Sequence, residues 1–176
     1  MPYFDVPLEN NRFIVNTIVF DAQKLDQEKL QRCLSEESFE GDDRSIARAL
    51  IDTGATHCSI TEDLAEKLHL SPVGKSTIGT AGHPVDCSQY VVLLGIPVTE
   101  VHKYHEIVDK KSNESKVVPA AQTNHFKLHL TKVSAMPKQQ RTRGFDVIVG
   151  MDLLGKMMFQ YAGNPAFSGG RLVIGF

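Results

Sequence analysis

The sequence predicts an all-β fold in one ordinary globular domain, and three observations lead to these predictions. Most apolar stretches are short runs of β-branched and aromatic residues bounded by turn-forming residues, as is typical of strands. Glycine and proline together make up about 12% of the chain, the usual share in a globular protein. The length of 176 residues is close to the size of one domain, about 150 residues. We therefore expect a single domain over residues 1–176, with insertions at about 21–43 and 98–143.

The first part of the chain predicts two strands separated by a helix. Arg12–Phe20 is rich in β-branched and aromatic residues and predicts a strand. Residues 21–43 are charged, and three leucines at helical spacing indicate a short amphipathic helix before an acidic loop at 36–43. Ala47–Ile51 predicts a second strand that runs directly into a turn.

The middle of the chain predicts a short helix and two hairpins. Thr61 is followed by acidic residues and by leucines at helical spacing, so it predicts the N-cap of a helix that ends before Pro72. Thr77–Pro97 predicts a β-hairpin with its tip at 81–84. The insertion at 98–143 predicts a further hairpin, because structureless loops of that length are rare in compact domains.

The last part of the chain predicts two strands around a short helix. Phe145–Gly150 is a short apolar run and predicts the first of these strands. The helical segment follows it directly, and Arg171–Phe176 predicts the strand that closes the fold.

Charge and cysteine content exclude several classes of function. The chain has 19 basic and 21 acidic residues, so it lacks the positive surface of a protein that binds nucleic acid or an anionic membrane. Three cysteines without CxxC spacing fit a reducing compartment better than a disulfide scaffold. No apolar run is long enough to span a bilayer, and the N-terminus lacks a secretory apolar segment. We expect a cytoplasmic protein that binds neither nucleic acid nor membrane.

Asp52, Thr53 and Gly54 form the motif that carries the functional prediction. The motif follows an apolar strand and precedes a helix cap, so it places a carboxylate on a tight turn. Hydrolysis of an amide by water needs one carboxylate to take a proton from the water and another to protonate the carbonyl oxygen. Three small or polar residues in a turn are also common as a purely structural feature, so the surrounding sequence decides the interpretation.

Three blocks, in order along the chain, resemble the retropepsin family of single-domain aspartic proteases. They are Ala49–Ala55 (ALIDTGA), Ile78–Gly82 (IGTAG, with Gln89 and Tyr90 after it) and Asp146–Leu154 (DVIVGMDLL). The resemblance implies an acid-protease half-barrel with one short C-terminal helix and a flap hairpin. It also implies that two copies of the chain form one active site, because a chain of this length has room for only one such aspartate turn.

The resemblance assigns expected roles to individual residues. Asp52 is the expected catalytic residue, and Thr53, Gly54 and Ala55 support the active-site turn. Thr53 is expected to contact the turn of the second copy, and Gly54 to receive the substrate backbone. Ala55 replaces the Ser or Thr of pepsin-like enzymes, which predicts a mildly acidic rather than a strongly acidic pH optimum.

The same resemblance predicts how a polypeptide substrate is held. An extended peptide can be bound through its backbone between the cleft floor and a mobile hairpin, with its side chains alternating into pockets. The expected substrate-binding and flap residues are apolar or small, which favours apolar substrate residues beside the cleaved bond. They are Leu50, Ile78, Gly79, Thr80, Ala81, Gly82 and Ile148.

The chain departs from viral members of the family at identifiable positions. Those members follow the turn with an acidic residue that pairs with an arginine of the second signature; here the two positions are Thr56 and Met151. His83 and Pro84 make the tip of the flap stiffer than in viral proteases. The two insertions have no counterpart and could extend a dimer interface, cover the cleft or bind a partner.

Two other motifs, one before the first hairpin and one in the second insertion, leave alternatives open. Val73–Thr77 is similar to the end of a phosphate-binding loop, but the first glycine of that loop is missing and no strand precedes it. Four histidines with Glu106 could form a metal site, although scattered surface histidines are more common in a chain with seven. These histidines are His102, His105, His125 and His129. We expect neither a metal nor a cofactor.

Two residues near the blocks also have alternative interpretations. Cys58 suggests a thiol nucleophile, but a small buried thiol on the way into the helix is favoured. Asp152 is expected to cap a helix rather than to catalyse. For the whole chain, the alternatives to an endopeptidase are a dimeric module that binds a peptide or partner without cleaving it, and a self-processing fragment of a polyprotein.

Overall fold

The computed structural model describes residues 3–9, 12–36, 44–79, 83–108, 115–137, 144–162 and 171–175. Most of these residues lie in one ten-stranded sheet, in the order β5-β6-β7-β4-β8-β3-β2-β1-β10-β9. The strands are β1 Tyr3–Glu9, β2 Arg12–Asp21, β3 Arg44–Ile51, β4 Ser59–Thr61, β5 Gly74–Gly79, β6 Pro84–Val108, β7 Ser115–Met136, β8 Val147–Val149, β9 Met158–Ala162 and β10 Arg171–Gly175. The helices are α1 Gln27–Glu36, α2 Glu62–Lys67 and α3 Met151–Leu154, with a 3-10 helix at Ala22–Lys24. The predicted β fold is confirmed.

The sheet curls because β6 has partners on both of its edges. It pairs antiparallel with β7 along most of its length, and its residues 92–95 also pair with β2. At Thr99 it also pairs with Tyr3 of β1. A strand that connects two distant parts of the sheet order bends the sheet into a partly closed barrel.

The apolar run in β6 is continuous because both faces of the strand are buried. Val92, Leu94 and Ile96 point into the main core, which also contains apolar residues of α2 and α3. Leu93 points to the other face and joins a second core with Phe20. Helix α1 covers this second core with Leu30 and Leu34, so the first insertion buries an outer face of the sheet.

The predicted helices are confirmed close to their expected positions. Helix α1 lies inside the first insertion, although the acidic loop predicted after it falls mainly on residues outside the described part. Thr61 is the N-cap of α2, and its Oγ1 accepts a hydrogen bond of 3.2 Å from the backbone N–H of Leu64. The helical segment after β8 is also present, as the single turn α3.

The predicted hairpins are confirmed, but their boundary is wrong. The first hairpin starts at Gly74 rather than Thr77, and its tip at 80–82 lies outside the described residues. Its return strand does not end near Pro97. It continues as β6 to Val108, because β7 pairs with it without interruption apart from irregularities near Lys103. The second insertion is therefore an extension of the same strand pair. Strands β1, β4 and β9 were not predicted.

Candidate active site

Asp52 lies at the end of β3, on a turn that backbone hydrogen bonds fix on both sides. Its N–H donates to the carbonyl of Val149 on the parallel neighbour β8 (3.1 Å), and its carbonyl accepts from the N–H of Ala55 (3.2 Å). Its Oδ1 accepts from the N–H of Gly54 at 2.9 Å. A Cβ on residue 54 would lie 3.2 Å from this oxygen, so glycine allows the close approach. The carboxylate is therefore held in one orientation at the mouth of a cleft.

The junction of β8 and α3 supports the loop that follows Asp52. The N–H of Met151 donates to the carbonyl of Ala55 (2.8 Å), and the N–H of Asp152 donates to the carbonyl of Thr56 (3.1 Å). Gly150 packs so closely against this loop that a Cβ would lie 2.6 Å from the backbone C and O of His57. We name residues 52–58 the active-site loop and residues 147–154 the supporting segment.

Cys58, at the end of the active-site loop, is fully buried and bonded to the supporting segment. Its Sγ is 3.0 Å from Oδ1 of Asp152, and the N–H of Gly150 donates to Sγ at 3.3 Å. Burial first, and then the contact with Asp152, raises the pKa of the thiol to about 12. A thiol that stays protonated and buried is a poor nucleophile, so the structure favours the buried-thiol interpretation of Cys58. The residue precedes β4 rather than leading directly into a helix.

Asp152 does not cap α3 as expected. The N-cap is Gly150, which has no side-chain cap hydrogen bond. The carboxylate of Asp152 instead accepts hydrogen bonds from the backbone N–H groups of Cys58 and Leu153. The prediction failed because the bonding partner, Cys58, is 94 residues away in the sequence.

A cleft of about 370 Å³ opens beside Asp52. Several predicted site residues line it: Asp52, Gly54, Ala55, Ile78, Gly79 and Ile148. Leu50 does not line it, because its side chain packs with Ile148 against a small core. Thr53 is exposed on the turn and also lies outside the lining. The predicted flap residues Thr80, Ala81 and Gly82 lie outside the described residues.

The cleft is also lined by residues that the sequence analysis did not assign to substrate binding. They are Thr56, His57, Cys58, Ser59, Thr77, Ser134 and Met136. Ser134 and Met136 arrive there because the end of β7 pairs in parallel with β4, directly after the active-site loop. No local sequence pattern marks this pairing. The lining thus combines an apolar floor with hydroxyl groups, and Asp52 is the only acidic residue among the described lining residues.

The base of the hairpin formed by β5 and β6 is fixed to the cleft by side chains. Ser76 of β5 and Ser134 of β7 share a hydrogen bond between their Oγ atoms (2.9 Å). Cys87 of β6 donates from Sγ to the carbonyl of Ser76 (3.4 Å). Further towards the tip, Thr77 donates to Asp86 across the hairpin (2.6 Å). These contacts connect the start of β5 to both β6 and β7.

The two other sites considered from the sequence, a metal site and a phosphate-binding loop, are not formed by the described residues. Among the parts of the chain that the structure describes, no three His, Cys, Asp or Glu side chains lie together as a metal site would require. His102 instead shares a hydrogen bond with Thr123 across β6 and β7 (2.9 Å). The segment resembling a phosphate-binding loop enters strand β5 at Gly74. No helix in the described ranges has the length and apolar character needed to cross a membrane.

Comparison with known protein families identifies the segment around Asp52. A family model described as aspartyl protease matches residues 39–96, about a third of the chain. This match supports the resemblance of the sequence blocks to aspartic proteases. The match includes the first two sequence blocks and ends where β6 leaves its pairing with β2. The supporting segment at 147–154 lies beyond the matched residues.

The chain was also compared with solved structures and with curated proteins. A crystal structure of a retropepsin-like aspartic protease from Rickettsia conorii is similar over 99% of this chain and 90% of its own, with 13% identity and a TM-score of 0.46. The search of curated proteins gave no match.

Proposed function

We propose that the chain is an aspartic endopeptidase that acts as a homodimer, with Asp52 of each copy supplying one carboxylate. One observation carries the proposal. Asp52 is held on a rigid turn beside an open cleft, and the other described residues that line the cleft contain no second carboxylate. In aspartic proteases, the attacking water is activated between two carboxylates in contact. A second copy related by two-fold symmetry supplies the missing one.

The reaction proceeds by direct attack of water. Two carboxylates in contact share one proton, because two negative charges so close together cannot both be maintained. The ionised carboxylate takes a proton from the water as the oxygen attacks the carbonyl carbon of the substrate, and the protonated one donates to the carbonyl oxygen. Collapse of the resulting tetrahedral species breaks the C–N bond, and the amine leaves with a proton. No covalent acyl-enzyme forms.

The cleft supports an extended polypeptide as the substrate. Ile78, Ile148 and Met136 provide apolar surface near Asp52, so apolar side chains are favoured beside the cleaved bond. Ser and Thr hydroxyls in the lining can bond to the substrate backbone. The flap from Gly79 through Thr80, Ala81 and Gly82 would cover the peptide. Thr53 is exposed at the turn, where a second copy could receive its hydroxyl.

The test mixes active and inactive subunits. Asp52→Asn should reduce peptide cleavage about 100- to 10,000-fold, because it removes proton transfer while leaving a side chain of the same shape. When equal amounts of wild-type and Asp52→Asn protein exchange subunits, a shared site leaves about one quarter of the activity, since only wild-type pairs are active. If each chain held a complete site, half of the activity of the same total amount of wild-type protein would remain.

Sedimentation and a control variant complete the experiment. The wild-type protein and Asp52→Asn should both sediment with the mass of two chains. Asp63→Asn, which removes a carboxylate from α2 outside the cleft, should keep the activity. A strict monomer, or cleavage unaffected by Asp52→Asn, contradicts the proposal. Unchanged binding of a peptide without cleavage in either protein would support a binding module instead.

A further inference from the structure

The contacts at the end of the active-site loop assign a role to two side chains that take no part in the proton transfers of the reaction. We propose that Cys58 and Asp152 are positioning residues, which hold the active-site loop so that Asp52 meets its counterpart in the correct geometry. This inference rests on the proposed function, because it concerns the same carboxylate.

The thiol of Cys58 bonds to two different points of the supporting segment. It donates to Oδ1 of Asp152 (3.0 Å) and accepts from the N–H of Gly150 (3.3 Å). A thiol has an ordinary pKa of 9.0, which burial raises further here, so the thiol keeps its proton throughout the acidic to neutral range in which an aspartic protease works. The thiol is therefore available as a hydrogen-bond donor to Asp152 in that range.

The carboxylate of Asp152 bonds to the backbone of the loop as well as to the thiol. The N–H of Cys58 lies 3.0 Å from both of its oxygens. The side chain of Asp152 is only 25% exposed, and Nδ1 of His57 lies 3.9 Å from its Oδ2. A carboxylate that accepts backbone N–H groups at such a distance fixes the chain more firmly than a neutral acceptor would.

These contacts determine the position of Asp52 through a short, continuous path. Between Cys58 and Asp52, the carbonyls of Thr56 and Ala55 accept hydrogen bonds from the supporting segment. Ala55 in turn donates to the carbonyl of Asp52, and the N–H of Gly54 donates to its carboxylate. If Cys58 shifts, this whole series of bonds shifts with it. A displacement of about 1 Å at a reacting group can cost about 100-fold in rate.

Four variants test the inference against a purely structural role. Cys58→Ala removes both thiol contacts, and Cys58→Ser restores a donor and an acceptor of similar size. Asp152→Ala removes the carboxylate, and Asp152→Asn keeps one oxygen that can accept from the N–H of Cys58. Cys33→Ala is the matched control, because Cys33 is also buried but lies on α1, in the second core and away from the active-site loop.

The expected result is a loss of kcat that conservative substitution reverses. Cys58→Ala and Asp152→Ala should lower kcat about 10- to 100-fold per folded dimer, with KM within about threefold of the wild-type value. Cys58→Ser should stay within about threefold of wild type in kcat, and Asp152→Asn should lose less than Asp152→Ala. Cys33→Ala should lower thermal stability without changing kcat. The inference is wrong if Cys58→Ala has wild-type kcat, or if Cys33→Ala loses as much kcat as Cys58→Ala.

Amide hydrogen exchange provides a readout that does not depend on cleavage. In Cys58→Ala, the amides of Gly54 and Ala55 should exchange at least about tenfold faster than in the wild type, whereas Cys58→Ser should preserve their protection. If the wild-type protein cleaves nothing, the proposed function fails while the exchange rates still test the positioning. Unchanged exchange in a folded Cys58→Ala protein overturns the inference. If Cys58→Ala does not fold, the exchange rates of Gly54 and Ala55 can be compared between Asp152→Asn and the wild type, with a smaller expected increase.

Discussion

The active-site loop and the outer end of the long hairpin differ in how far apart in the sequence their bonding partners lie. The loop is tied to residues more than 90 positions away, as in the bonds of Cys58 with Gly150 and Asp152. We name residues 102–108 of β6 and 115–124 of β7 the outer hairpin; its strands pair mainly with each other, and most of its described side chains are exposed. A loop held from far away depends on the whole fold, whereas a hairpin held by its own neighbours tolerates change.

The largest effect on stability is expected from an apolar residue behind the active-site loop. Leu154→Ala removes a side chain that is 1% exposed in the supporting segment, and it should destabilise the protein by about 2–5 kcal/mol through lost burial and an unfilled cavity. Denaturant unfolding at a fixed protein concentration measures this change. A loss below about 1 kcal/mol would show that the core behind the loop can collapse around the gap.

A smaller effect is expected where the two backbones meet. Gly150→Ala places a Cβ 2.6 Å from the backbone of His57, so the loop must move, at a cost of about 1–3 kcal/mol and with loss of cleavage. Gly74→Ala is the matched control, since its Cβ would meet only Gln89 Oε1 at an ordinary 3.6 Å. Thermal unfolding of the two variants should differ clearly, and equal midpoints would contradict the close packing.

The buried thiol predicts a pH effect with a definite sign. Its pKa is raised from 9.0 to about 12, so between these values the folded protein keeps a proton that the unfolded chain releases. The stability due to this group is complete below pH 9 and decreases as the pH rises towards 12, by at most about 1.4 kcal/mol per pH unit. The stability difference between wild type and Cys58→Ser should therefore shrink from pH 8 to 10.5. Parallel curves would show that the thiol is not held as the structure indicates.

The smallest effect is expected in the outer hairpin. Ile107 is 56% exposed, so Ile107→Thr, which keeps the branched Cβ that strands favour, should change the free energy of unfolding by less than about 0.5 kcal/mol. Denaturant unfolding under the conditions used for Leu154→Ala measures it. A loss above 1 kcal/mol would remove the contrast between the two regions and indicate that this surface is covered in solution.

The parts of the fold that were predicted correctly are those with local signals. Thr61 with its following acids marked the start of α2, and helical leucine spacing marked α1. The boundary near Pro97 was wrong because strand β6 continues through the position where the core ends. The local sequence does not show whether a strand ends where the core ends or continues beyond it while still paired with one neighbouring strand. The extent of the single domain, the homodimer and the cytoplasmic location stay predictions.

The sequence by itself determined which residues are the candidates for the chemistry: the aspartate turn, its glycine and the block that supports it were recognisable as short patterns. Only the tertiary structure decided the surroundings of that turn. Ser134 entered the cleft, Asp152 bonded to Cys58 rather than capping a helix, and Leu50 turned into a core. The physical reason is that a turn depends on the dihedral preferences of adjacent residues. A cleft depends on strand pairings that join residues far apart in the chain, and these leave no local pattern.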